Sequence, residues 1–73
     1  MLEDQDYRCA LTGWELTPEN CQGDHIVPLI RGGGYGMDNV QLVVDVVNTA
    51  KHTMTNEEFI EMCNAVARLH PRP

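Results

Sequence analysis

Arg31-Gly32-Gly33-Gly34-Tyr35-Gly36 sets four glycines in six residues between two short segments of β-forming character. Before it, Asp24-His25-Ile26-Val27-Pro28 opens polar and turns apolar. Pro28 must end a strand or sit at a sheet edge, because it has no N–H for the ladder. After it, Val40-Gln41-Leu42-Val43-Val44 has the β-branched content of a second strand. No Gly-Lys-Ser or Gly-Lys-Thr ending follows the glycines, so this is not a phosphate-binding P-loop. It reads as a tight surface loop joining residues near 24–28 and 40–44 into an antiparallel pair. A chain of 73 residues fits one small domain. Such a domain buries about 60% of its unfolded surface, and the length excludes a Rossmann domain, a barrel or several βαβ units.

The flanks complete an α+β reading. Residues 1–8 are polar and acidic and are expected to be a flexible lead-in. Cys9-Ala10-Leu11-Thr12-Gly13 enters a turn with Gly13 supplying the turn conformation, closed as a knuckle by Leu11, Trp14 and Leu16. Thr17-Pro18-Glu19-Asn20 makes another turn. Asp45 is expected to cap a short helix reaching Lys51. Thr55-Asn56-Glu57-Glu58 has the form of a capping box, so a second helix should run from about Asn56 to about Leu69 and stop at His70-Pro71. Phe59, Cys63, Val66 and Ala67 share a face at helical spacing, with Ile60 and Met62 at its margins, and are expected to be buried. The domain proper is placed at 9–70, with 71–73 as a tail.

Lys plus Arg is 5 and Asp plus Glu is 11, a formal net charge of −6. That is the wrong sign for holding DNA through a broad basic face. It leaves open a nucleic-acid enzyme whose site is built around a cation. Cys9, Cys21 and Cys63 form no CxxC pair, so at most one disulfide fits and a four-ligand zinc spacing is missing. A reduced, cytoplasmic setting is the simpler expectation. The start shows no basic region followed by an apolar stretch, and no apolar stretch is long enough to span a membrane.

The residues that need a joint explanation are Asp24, His25, Asn39, Asn48 and Lys51. Their order (strand, glycine loop, second strand, helix) can bring His25 and Asn48 towards one point while Asn39 braces the loop. With Asp24-His25-Ile26-Val27-Pro28, the glycine loop, Asp38-Asn39-Val40-Gln41-Leu42 and Asn48-x-x-Lys51 in this order, the sequence resembles the HNH, or ββα-metal, nucleases over roughly residues 9–52. It looks especially similar to the HNH domains of RNA-guided CRISPR nucleases, where the third family position is also asparagine. Thr55-x-x-Glu58-Phe59-Ile60 resembles the tail of small phage-type HNH proteins. The resemblance implies a β-hairpin plus short helix, here with an added C-terminal helix.

It also implies an endonuclease that hydrolyses DNA phosphodiester bonds in a bacterial or phage-infected cell. His25 would be the general base, suited to this by an unperturbed pKa near 6.5. Asp24 and Asn48 would hold one Mg²⁺ or Mn²⁺, Asn39 would steady the loop and His25, and Lys51 would reach a phosphate oxygen. The family's zinc-binding CxxC pairs reduce here to Cys9-x-x-Thr12 and Val44-x-x-Val47, so no structural zinc is expected. Val44 and Val47 would pack against Leu11 or Trp14 in its place.

Other readings attach to single residues. Trp14 is expected to plug the knuckle, Cys63 to be a core residue, and His52 a surface histidine; Tyr35 would pack over the loop, and Arg31 sits where it could touch DNA. Glu57, Glu58 and Glu61 read as capping plus a solvated face. The alternative function is an inactive HNH-like module that binds nucleic acid or protein, for which the net charge speaks; a small zinc module is a third. For a nuclease, DNA recognition would come from a parent chain or a partner protein.

Overall fold

Val40–Val44 forms a strand as its β-branched run requires, and it pairs antiparallel with Cys21–His25, which precedes the glycine loop. We call these β2 and β1. The computed structural model describes residues 1–73 and shows an α+β domain, a two-stranded hairpin followed by helices α1 (Asp45–Lys51) and α2 (Asn56–Leu69). The register runs from Cys21 opposite Val44 to His25 opposite Val40, with Asp24 opposite Gln41. The first strand therefore lies three residues earlier than the 24–28 expected. Beyond His25 a side chain takes over the pairing: Val27 N–H donates to Asn39 Oδ1 (2.9 Å) and Asn39 Nδ2 donates to Val27 O (2.9 Å).

The glycine loop is shaped by single turns of 3₁₀ helix at Leu29–Arg31 and Met37–Asn39. Gly33 is the glycine that the loop cannot replace. A Cβ there would lie 1.8 Å from the Val27 carbonyl oxygen and 2.8 Å from Asn39 Nδ2. Residues 1–8, expected to be a flexible lead-in, are tied to β2. Gln5 Nε2 donates to Leu42 O and Leu42 N–H donates to Gln5 Oε1, at 2.9 and 3.0 Å. One amide side chain thus satisfies both main-chain groups of a strand edge. The knuckle turns at Gly13 as expected, with Gly13 at φ 75° and Cys9 N–H donating to Trp14 O, and of the side chains expected to close it Leu16 is buried.

The core is small: Cys9, Leu16, Val43, Val44, Val47 and Phe59, with Leu11, Cys21, Leu42 and Met54 packed at its margin. Val44 and Val47 meet the N-terminal knuckle through Cys9 and Leu11, whereas Trp14 is 58% exposed and plugs nothing. Burial pushes the Cys9 thiol up, but hydrogen bonds from the Thr12 hydroxyl and from the backbone of Thr12, Val44 and Leu11 outweigh it. The net effect is a lowered pKa. The N-cap of α1 is Val44 and not Asp45. Asp45 is the first helical residue, and its carboxylate accepts from Val46 N–H while favouring the helix N-terminus.

α2 has the expected bounds and a complete Thr55–Glu58 capping box. Its burial differs from expectation, since Phe59 is its one buried residue. Cys63, Val66 and Ala67 are exposed. Only Phe59, near the start of α2, joins the core cluster, and the helix from Ile60 onward is exposed. No helix is long and apolar enough to cross a membrane.

Candidate active site

Alternation along β1 puts Gln22 and Asp24 on the same side of the hairpin, and the i, i+3 spacing puts Asn48 and Lys51 on one side of α1. The two pairs meet. Asn48 Nδ2 donates to Gln22 Oε1 at 2.7 Å, and Lys51 Nζ lies 2.9 Å from Asp24 Oδ2. Gly23, Asp24, His25, Asn48, His52 and Thr53 line an open hollow of about 390 Å³, together with Pro28, Leu29 and Ile30. Asp24, His25 and Asn48, three of the residues singled out by sequence, therefore share one concave surface.

Asp24 is 5% exposed. Its Oδ2 accepts from Gln41 Nε2 at 2.8 Å and is ion-paired with Lys51 Nζ at 2.9 Å. Its Oδ1 takes part in neither contact. No buried side-chain nitrogen or oxygen in the chain lacks a hydrogen-bond partner, so that second oxygen is one with access to solvent. At Asn48 the nitrogen is taken by Gln22, which leaves the amide oxygen as its free group.

His25 is half-buried; its carbonyl accepts from Lys51 Nζ at 2.9 Å, while its imidazole has no hydrogen bond to another protein group. Asn39 stands behind the hollow. It holds both backbone groups of Val27 and donates to Gly34 O at 3.0 Å, pinning the two ends of the loop together.

Lys51 departs from its expected place. Its side chain is 0% exposed, and Nζ is used by Asp24, His25 O and Ile26 O. It is neither a solvated helix charge nor a group that reaches phosphate. It is a buried cation under the floor of the site, stabilised by the Asp24 carboxylate.

No protein-family model matches the chain, and no curated protein matches it. What can be said of the site rests on its own chemistry. No three His, Cys, Asp or Glu side chains converge as a metal-binding group. The available donors are one carboxylate oxygen and one amide oxygen, both hard. That set fits a cation that keeps most of its waters, as Mg²⁺ does, better than one that needs sulfur or several imidazoles.

Sequence reasoning missed Gln22, Gln41, Asn56 and Thr53, and it read His52 only as a surface histidine. Gln22 was open to discovery once β1 was known to begin at Cys21, because it lies two residues before Asp24. Gln41 is an amide in a run of Val and Leu, a signal in itself. Asn56 gives none. His52 and Thr53 follow α1, where His52 has φ 48° and ψ −114°, a conformation that L residues rarely adopt.

Proposed function

We infer that this chain is a metal-dependent endonuclease of the HNH kind, hydrolysing DNA phosphodiester bonds to leave 5′-phosphate and 3′-hydroxyl ends. The observation that carries this reading is the meeting of Asp24, His25 and Asn48 on one hollow, with Asn48 turned so that its oxygen is free. The sequence resemblance supplies the reaction class, and the ββα arrangement is consistent with it.

In this mechanism neutral His25 accepts a proton from the attacking water through a ring nitrogen that no protein group occupies. Lys51 fixes the main chain of His25 and Ile26, and Asn39 fixes Val27, so the imidazole is carried on a backbone held from both sides. Asp24 Oδ1 and Asn48 Oδ1 would hold Mg²⁺ or Mn²⁺. Such an ion, when bound, polarises the phosphate and offsets charge on the leaving oxygen. With a net charge of −6 the chain has little general attraction for DNA, so a parent chain or partner would provide the grip. Plasmid nicking in Mg²⁺ or Mn²⁺, with any natural flanking sequence attached, tests the reading. Wild type should nick and His25→Ala should not.

A second reading has its own observation. Leu11, Trp14, Val46, Val47, Ile60 and Cys63 line an apolar groove between the knuckle and the helices, and Trp14, Val46 and Ile60 are largely exposed. An inactive HNH-like module that binds another macromolecule would use such a face. Absence of nicking by folded wild type in Mg²⁺ or Mn²⁺ would favour it.

A further inference from the structure

We propose that Gln41, backed by Asn56, is a positioning residue that holds the Asp24 carboxylate so that Oδ1 alone is offered to a cation. The inference rests on the nuclease reading above. Asp24 and Gln41 are directly opposite each other across the hairpin, the closest relationship a strand pair allows. Gln41 is 7% exposed in a strand otherwise made of Val and Leu. A buried amide costs stability unless it is bonded, and a fifth aliphatic residue would serve the core without that cost.

Gln41 is bonded on both ends. Nε2 donates to Asp24 Oδ2 and to Asn56 Oδ1, both at 2.8 Å, and Oε1 accepts from Asn56 Nδ2 at 3.2 Å. Flipping both amides together would keep the reciprocal pair but turn Gln41 Oε1 against a carboxylate. Asp24 therefore selects the orientation, and Asn56 locks it.

Lys51 approaches the same Oδ2. A hydrogen bond and an ion pair on one oxygen fix the rotation of the carboxylate, since turning it would break both contacts at once. Asn56 is the first residue of α2, directly after the Thr55 cap, so the start of that helix is joined to the floor of the hollow through Gln41. This gives the capping box a consequence beyond helix stability: it sets where Asn56 stands.

The test is Mn²⁺ titration of the full chain, followed by paramagnetic line broadening, for wild type, Asp24→Asn, Gln41→Leu and Asn56→Ala. Circular dichroism confirms that each is folded. Gln41→Leu should weaken Mn²⁺ binding about 10–100-fold, the usual effect of losing a group that orients a ligand. Asn56→Ala should weaken it less and in the same direction, and it decides the matter if Gln41→Leu does not fold. Folded variants that bind Mn²⁺ as wild type does, while Asp24→Asn does not, overturn the positioning role and leave the nuclease reading standing. Wild type binding no better than Asp24→Asn overturns the metal site itself, and the inference with it.

Discussion

Lys51 Nζ sits 2.9 Å from Asp24 Oδ2, with the two side chains 0% and 5% exposed, so a helix and a strand are joined by an ion pair inside a domain that has little core to spare. Removing one member of a buried pair leaves the other charged and unpaired, which costs about 3–5 kcal/mol. Total stability of a small domain is of similar size, about 5 kcal/mol or little more. Lys51→Met should therefore unfold the chain or bring it close to unfolding. Asp24→Asn combined with Lys51→Met removes both charges and should recover much of the loss. Urea melts of the two singles and the double variant measure this; a double variant no more stable than Lys51→Met would show that the pair is not the reason.

Phe59 alone anchors α2 in the core, and its substitution should stand apart from others on the helix. Phe59→Ala should cost about 3–5 kcal/mol. Val66, 56% exposed, should cost no more than about 0.5 kcal/mol on truncation to Ala. Equal losses at the two positions would mean that the outer turns of α2 are covered after all.

These two helices show what the sequence could and could not say. The second strand and the limits of α2 were legible because they follow local rules, a β-branched run and a capping box with a defined end. The burial of Cys63 and Val66 was not, because helical periodicity marks an apolar face without saying whether anything lies opposite. Lys51 is the sharper case. Nothing local to a lysine in a seven-residue helix places it in the interior; only Asp24, on a strand reached through the glycine loop, makes that position tolerable. Asn39 lay between these extremes: its role as a loop brace was readable from its place after the glycines, though not that it would continue the pairing of β1 by its side chain.

His52 carries backbone strain at the end of α1, with φ 48° in a region where glycine is at ease. Strain of this kind costs of order 1–3 kcal/mol. His52→Gly should raise the free energy of unfolding by an amount within that range, less the extra unfolded-state entropy of glycine. His52→Ala should not. If both variants behave alike, the strain is absent in solution.

Stability should fall on acidification partly through Glu58. Its carboxyl is held below the ordinary value first by the Thr55 backbone N–H of the capping box, then by the Arg31 guanidinium with which it pairs. A depressed folded-state pKa means that the contribution is present above the unfolded value and lost as pH falls through the folded one. Glu58→Gln should therefore lower stability near neutral pH and make its decline from neutral pH into acid shallower. Thermal melts of both proteins across that range check the sign; parallel curves would remove Glu58 from the account.

The active-site variants must be chosen around the Lys51 pair. Asp24→Ala would strand a buried lysine, so loss of cleavage there would not distinguish a missing ligand from a disturbed fold. Asp24→Asn keeps the shape and an oxygen able to accept from Lys51, and it should lose metal-dependent cleavage with less damage to folding. His25→Ala disturbs no side-chain hydrogen bond and leaves its carbonyl bonded to Lys51, so the fold should survive. Its turnover should fall about 10²–10⁴-fold, the usual contribution of a general base. Asn48→Ala should weaken metal-dependent cleavage with partial recovery at high Mn²⁺. Gln22→Leu should resemble it more mildly, because Asn48 loses the partner that turns its oxygen free. Cleavage of supercoiled and linear DNA across metals, with folding followed by circular dichroism, provides the measurement. If folded His25→Ala cuts as fast as wild type, or wild type cuts nothing with any natural flanks attached, hydrolysis through His25 has to be abandoned.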